Sequence, residues 1–461
     1  MQDKGISISS LYQGLSKGED LTVNNPVLIK GWVRTNRNSK AIGFLEINDG
    51  SCFKGIQVVY DDKLENFDAV THYLTGACLS VRGELVLTPG MKQPFEVHAS
   101  SISLLGDASE DYPLQKKRHS LEYLREIAHL RPRTNTFSAV FRVRSVLARA
   151  IHEYFMDNGF VYVHTPCITG NDAEGAGQVF TVVTDAEDPY KDFYGKKASL
   201  TVSGQLHVES FALAFGKVYT FGPTFRAEKS NTTRHASEFW MIEPEMAFAD
   251  LDDDMDVMEG CLKYCISYVL DKCPDEMEFF DKFVSPGTIE KLENVLAKDF
   301  VRLDYTDGIK YLEEAVKNGH KFDNSKIEWG MDLQSEHEKY LTEEVVKGPL
   351  FLKNYPAAIK AFYMKLNPDG KTVAAVDCLV PGEGEIIGGS QREDDYEKLK
   401  AKMATQENPE SLEWYLNLRK WGGCVHSGFG IGFDRLLMYI TGMANIRDTE
   451  PYPRTFGNLK Y

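Results

Sequence analysis

At 461 residues, with 43% hydrophobic and 26% charged side chains, the chain has ordinary globular composition and exceeds what one core holds, so two or three domains are expected. No apolar run reaches the length of a membrane span, and a formal net charge of -16 argues against a general electrostatic coat for nucleic acid while leaving room for local basic patches. The eight cysteines form no CxxC pair and no zinc-type spacing.

The N-terminal MQDKGISISSLYQGL has neither the basic start and apolar core of a secretory signal nor an Arg-rich amphipathic pattern, so a cytoplasmic location is expected. Short strands follow at Val27 to Arg34, Phe44 to Asn48, Gly55 to Tyr60, Cys78 to Leu87 and Phe95 to Ser103, separated by turn-rich segments such as Asn48-Asp49-Gly50-Ser51 and Thr88-Pro89-Gly90. These strands predict a small barrel, and the longer Asp61 to Thr75 connection lies where an oligonucleotide-binding (OB) barrel carries its helix. Any other small all-β module would also fit that order. Exposed aromatic and amide side chains on such a barrel stack on and read unpaired bases, which makes Arg34, Phe44 and Gln57 candidates; Phe44 equally fits a core position.

Residues 105–133 are polar, with Lys116-Lys117-Arg118-His119 and Arg131-Pro132-Arg133, and read as a linker whose basic run is either a solvated face or a contact for a phosphate backbone. From Thr136 apolar residues recur at helical steps through Phe137, Val140, Phe141, Leu147, Ile151 and Phe155, until Gly159 stops the helix and a strand runs from Phe160 to His164, before Pro166. Its wide apolar stripe packs either on its own domain or across a dimer interface. Strands at Leu200 to Val202, Val218 to Phe221 and Phe239 to Phe248, and helices at Gln205 to Phe215 and Asp252 to Leu270, show no strict βαβ rhythm and predict an antiparallel α+β sheet. Cys261 and Cys265, at helical spacing among Met258, Leu262 and Ile266, read as core. Residues 274–347 read as mostly helical and charged.

The chemistry concentrates in three places. The chain has no GxxxxGK[ST] and no GxGxxG, but arginines can replace a phosphate-binding loop. Two strands joined by the turn-rich Lys229 to Thr233 segment would bring Arg226, Arg234 and His235 near Phe239, giving cations for phosphate and a ring for a base. Gly428-Phe429-Gly430-Ile431-Gly432-Phe433-Asp434-Arg435 leads from a strand into an apolar helix, so backbone donors and Arg435 could face one anion; close packing through small residues explains the glycines equally well. Asp377 and Glu385 flank a tight turn, and paired hard oxygens suit Mg²⁺ bridging phosphates.

Taken in order, the helix-strand unit ending at Pro166, the FRAE and RHASEF blocks from Phe225 to Phe239, and the GFGIGFDR block ending at Arg435 resemble the three motifs of class II aminoacyl-tRNA synthetases. With the barrel, the resemblance to their aspartyl, asparaginyl and lysyl subgroup covers nearly the whole chain. It implies an anticodon-binding OB barrel at 1–104, a linker at 105–133, and a catalytic domain at 134–461 built on a seven-stranded antiparallel sheet. It also implies ATP as substrate, Mg²⁺, tRNA as partner and a homodimer joined through residues 137–166.

By the same resemblance Arg226 would hold the α-phosphate, His235 and Arg435 the γ-phosphate, and Phe239 and Glu228 the adenine, with Arg234 and Gly432 completing the ATP site. Asp377 and Glu385 would carry Mg²⁺, while Glu174, Ser203, Gln205 and Glu243 would surround the ammonium and carboxylate of the amino acid. The segment Ser203-Gly204-Gln205-Leu206-His207-Val208-Glu209 aligns with SPQxxKQ of aspartyl enzymes, with Val208 in place of the lysine that pairs with the substrate carboxylate. A buried site short of one cation binds a second carboxylate poorly. Arg392 would then donate to an amide oxygen and Glu209 accept from the amide nitrogen, which points to L-asparagine and tRNA(Asn); the run from Gly222 to Leu251 also resembles asparaginyl enzymes more than aspartyl ones. The alternatives are an aspartyl or relaxed-specificity enzyme, or an asparagine-forming amide ligase on the same fold. One departure is Gly388, where aspartyl enzymes place a serine near the metal.

Overall fold

The structure, a computed structural model, describes residues 5–171, 178–184, 187–188, 190–406 and 409–461. They form two compact units, Met1–Ala139 and Val140–Tyr461.

The first unit is built on β1 (Val27–Asn38), β2 (Ile42–Asn48), β3 (Ile56–Asp61), β4 (Cys78–Leu87) and β5 (Phe95–Gly106), closed in the order β1-β2-β3-β5-β4. Strict alternation turns Leu45, Ile47, Val58, Tyr60, Leu79, Val81 and Val97 into the barrel, which leaves their neighbours on the outer wall. The β3–β4 connection carries the helix Phe67–Thr71, as expected for an OB barrel. β1 runs four residues beyond the predicted end because the polar residues that follow still pair, Arg37 with Phe44 and Asn38 with Gly43. A bulge at Arg34 lets this happen, and Asn36 satisfies its amide on the Val70 and Tyr73 carbonyls at 2.8 and 3.0 Å.

In the second unit β6 (Val161–Tyr162) is followed by a small sheet of β7 (Ile168–Thr169), β8 (Thr181–Val182) and β9 (Ala198–Leu200). The main sheet adds β10 (Lys217–Phe225), β11 (Glu238–Ala247), β12 (Val301–Asp304), β13 (Leu350–Pro356), β14 (Thr372–Val380), β15 (Gly384–Gln391) and β16 (His426–Gly432). It has eight strands in the order β12-β13-β14-β15-β16-β11-β10-β6, against the expected seven. The pairs from β13 through β10 are antiparallel, and the short β6 and β12 add parallel edges. Every residue of β14 is buried, as a strand covered on both faces requires.

The helix Leu251–Lys272 covers one face; Asp250 caps it reciprocally with Asp253, and Met255, Met258, Cys261, Leu262, Cys265 and Ile266 are buried, the cysteines serving as core. The stripe of the helix Asn135–Asp157 is spent within the chain: Val140, Leu147, Ile151 and Phe155 are fully buried. Residues 274–347 are mostly helical, interrupted by β12 and by an irregular stretch at 318–334. No described helix is long and apolar enough to cross a membrane.

Candidate active site

Antiparallel pairing sets Phe225 opposite Glu238 and Thr224 opposite Phe239, so the loop between β10 and β11 hangs over the sheet with both its ends anchored. Arg226 extends from the end of β10 to lie 5.3 Å over the Phe239 ring. On the loop, His235 accepts or donates through Thr232 and sits 3.7 Å from Glu228. Burial, then the charge of Arg435, lowers its pKa, so the ligand-free ring is neutral near pH 7. Arg234 is tied to the β14–β15 turn, through the Glu383 carbonyl at 3.0 Å, the Glu383 carboxylate at 3.2 Å and Ser335 at 3.2 Å.

These groups share one cavity of about 300 Å³ with Asp377, Glu385, Gly432 and Arg435. Gly432 caps the helix Phe433–Thr441, whose first turn carries Arg435, so a guanidinium and a helix N-terminus reach the cavity together. The glycines of the block stand in different surroundings. A Cβ on Gly428 would stand 2.4 Å from the Glu245 carboxylate, a packing requirement, whereas Gly432 lines the cavity.

Asp377 and Gly388 are paired across β14 and β15, with Glu385 on the same hairpin. A Cβ on Gly388 would approach Glu385 Oε1 to 2.9 Å and Asp377 Oδ1 to 3.5 Å, so the glycine keeps the space between the two carboxylates open. The charge of Asp377, with burial, pushes Glu385 up to about 6. Two hard, mutually repelling carboxylates around an open space fit a divalent cation such as Mg²⁺. Glu338, which accepts the Glu385 N–H at 3.0 Å, is pushed up to about 7 by burial and by Glu385.

The amino-acid side of the cavity is lined by Ser203, Gln205, Glu243 and Arg392. Glu243 accepts from the Ser203 hydroxyl and, at 2.8 Å, from the Gly204 N–H; burial raises its pKa. Arg392, 2% exposed, is clasped by Glu245, donates to Ser390 at 2.8 Å and lies 5.3 Å over the Tyr363 ring. Two expectations need correction. Val208 and Glu209 do not line the cavity: they share a face of the helix Gln205–Phe215 with Gln205 but sit one turn further along its axis, where both are fully buried. Val208 packs with Val163, Ala212 and Val218. Glu209 is enclosed by Tyr415 at 2.8 Å, Arg419 at 3.0 Å and His426 at 3.2 Å, and meets the cavity through Gln205 at 3.2 Å and Arg392 at 3.9 Å. Glu174 lies outside the described residues.

Lys360, Tyr363 and Met241 also line the cavity and went unread in sequence. A lone lysine in Ala-Ile-Lys-Ala carries no pattern that separates it from a surface cation. On the barrel, Phe44 and Gln57 lie on the outer wall, half-buried; Gln57 donates to Glu96 at 2.8 Å, and Arg34 donates to the Arg133 carbonyl. Trp32, 43% exposed, shares the outer wall and was not singled out within the Val27 to Arg34 run.

Residues 120–456 match the family described as tRNA synthetases class II (D, K and N), and residues 27–105 match the OB-fold nucleic acid binding domain. The chain belongs to the class II tRNA synthetases of this D, K and N group. Within it, the chain is 57% identical to an asparagine-tRNA ligase of Clostridium beijerinckii over 99% of its own length and 100% of the relative's. It is 58% identical to that of Clostridium novyi, covering 98% of each. Among solved structures, asparaginyl-tRNA synthetase from Pyrococcus horikoshii complexed with asparaginyl-adenylate superposes with a TM-score of 0.86 at 32% identity, covering 99% of both chains. The Entamoeba histolytica asparaginyl-tRNA synthetase gives 0.82 at 27% identity, over 94% of this chain and 96% of that one.

Proposed function

We propose that this cavity activates L-asparagine with ATP to asparaginyl-adenylate and passes it to the 3′ end of tRNA(Asn), making the chain an AMP-forming ligase. One observation carries the reading: Arg226 and Arg435 share a single cavity with the Asp377 and Glu385 carboxylates and with the buried Glu243 and Arg392. Phosphate and amino acid can therefore meet in one place.

In this reading Arg226 holds the α-phosphate in line with the substrate carboxylate, Arg435 and His235 hold the γ-phosphate, and Phe239 takes the adenine face, with Glu228, Arg234 and Gly432 around the nucleotide. Asp377 and Glu385 would hold Mg²⁺, which would supply positive charge to offset that of the nucleotide phosphates. Ser203, Gln205, Glu243 and Glu174 surround the ammonium and carboxylate, and Arg392 donates to the side-chain amide oxygen. No side-chain nucleophile is required: the asparagine carboxylate attacks the α-phosphorus, pyrophosphate leaves, and a terminal ribose hydroxyl of tRNA then opens the adenylate. Catalysis is positioning and charge neutralisation.

The barrel, 1–104, takes the anticodon through Arg34, Phe44 and Gln57, followed by a linker at 105–133 and the catalytic domain at 134–461. The enzyme acts in the cytoplasm as a homodimer through residues 137–166, where Met156 and Val161 expose apolar surface at 52% and 45%. ATP–pyrophosphate exchange measured side by side with asparagine and aspartate, then with tRNA charging, tests the reading. Exchange that depends on asparagine is expected; a preference for aspartate refutes it.

A further inference from the structure

The cavity contains one cation that the activation chemistry above leaves without a role. Lys360 follows the short turn Ala357–Ile359, and its ammonium lies 2.7 Å from Asp377 Oδ2 and 3.9 Å from the centre of the Tyr355 ring. Both sides of the ion pair are largely shielded, with side-chain exposures of 18% for Lys360 and 11% for Asp377. Tyr355 is itself buried, so the ammonium is backed by a fixed ring face and is not a roaming surface charge.

The two oxygens of Asp377 have different surroundings. Oδ2 faces Lys360, whereas Oδ1 faces the Gly388 side, where Glu385 Oε1 also points. A lysine therefore occupies one oxygen and leaves the other, with Glu385, open to the cavity. Glu338 adds a third carboxyl next to Glu385. Without Lys360 this wall would concentrate acidic groups with little water to screen them, and a divalent cation would be the strongest available compensation. With Lys360 in place, one negative charge is already balanced.

We propose that Lys360 is a built-in counter-ion: it fixes the orientation of Asp377 and weakens the Asp377–Glu385 pair for free divalent cations, so that the ion is held mainly when nucleotide phosphates supply further ligands. The inference rests on the reading that this cavity binds ATP with Mg²⁺. Lys360 is thus a positioning residue, acting on the metal through Asp377.

The test is direct Mn²⁺ binding to the full chain without nucleotide, followed by electron paramagnetic resonance at pH 8. Lys360→Met is expected to tighten Mn²⁺ binding by about tenfold or more, Lys360→Arg to stay near the unmodified chain, and Asp377→Asn to weaken binding in either background. Thermal melts establish that each variant is folded; should Lys360→Met not fold, Lys360→Gln replaces it. Unchanged or weaker Mn²⁺ binding in the folded charge-removing variant overturns the proposal, since a merely structural lysine would disorder Asp377 and lower affinity. Asparagine-dependent pyrophosphate exchange by the unmodified chain tests the underlying reading separately. Exchange with an unshifted Mn²⁺ affinity overturns the Lys360 inference alone, and absence of exchange overturns the reading beneath it.

Discussion

Replacing Arg419 by methionine strips Glu209 of its nearest cation. The carboxylate is fully enclosed; Arg419 Nη2 stands at 3.0 Å, while the next guanidinium, Arg392, is 3.9 Å away and clasped by Glu245. Burial alone would raise the pKa of Glu209, yet Arg419 and His426 outweigh it and hold the group below the ordinary carboxylate range. Breaking such a buried pair from one side costs about 3–5 kcal/mol. With an unfolding entropy of about 2 cal/mol/K per residue over a domain of roughly 300 residues, the melting temperature should fall by about 5–8 °C. Near-UV circular dichroism melts of Arg419→Met, Glu209→Gln and the double variant measure this, and the double variant should recover at least half of the loss because no unpaired charge remains. A single-variant shift below about 1 °C, or a double variant no better than the sum, refutes the argument. Activity supplies a second arm. Because Glu209 stands behind Gln205 and Arg392 and does not itself line the cavity, Glu209→Gln should change the KM for asparagine modestly; a hundredfold rise with an unmoved melting temperature would restore Glu209 as a direct substrate ligand.

Arg226→Ala should lower the turnover of pyrophosphate exchange by about a hundredfold or more with little change in the KM for asparagine, as loss of a transition-state contact requires; a purely KM effect would contradict its assignment to the α-phosphate. Phe44→Ala should weaken tRNA binding by about 1–3 kcal/mol, the worth of one stacked base, and leave exchange without tRNA intact; filter binding and exchange measured on one preparation separate the two. Glu450 is raised from 4.5 to about 9, chiefly by burial and then by Asp434, with Arg144 opposing. Its folded form keeps a proton that the unfolded chain releases, so between those two values stability should fall as pH rises, by up to about 1.4 kcal/mol per pH unit. Urea midpoints at pH 6 and 8 should show that slope flattened in Glu450→Gln, and an identical slope would assign the dependence elsewhere.

The barrel was readable because each of its strands alternates, so burial and composition report the same face; β1 was cut short where a polar hairpin continues to pair. Arg226, His235, Phe239 and Arg435 stood out as dense charge beside glycines and aromatics, and the sheet brings them to one cavity. What stayed hidden depended on direction in space. Val208 and Glu209 lie on the same helix face as Gln205, and a one-dimensional match could not tell that one turn of rise along the axis carries them behind the cavity wall. β13 and the helices Tyr396–Met403 and Glu413–Lys420 passed without assignment, and with them went Lys360, Tyr363 and Arg419, whose roles are defined only by partners far along the chain.

The placement of β16 bears on how the enzyme comes into being. It is the last strand synthesised, yet it lies between β15 and β11 in the middle of the sheet, with Gly430 beside Gly388 and Gly432 beside Met241. The halves carrying Arg226 and Asp377 are therefore separate sheet edges until residues 426–432 emerge and zip them together. During translation the β11 edge stays unpaired from residue 247 until residues 426–432 emerge, joined by the β15 edge after residue 391, a slow, non-local closure that favours chaperone contact. Nucleotide binding should switch on as a single late event, once the helix Phe433–Thr441 with Arg435 has followed β16 out of the ribosome.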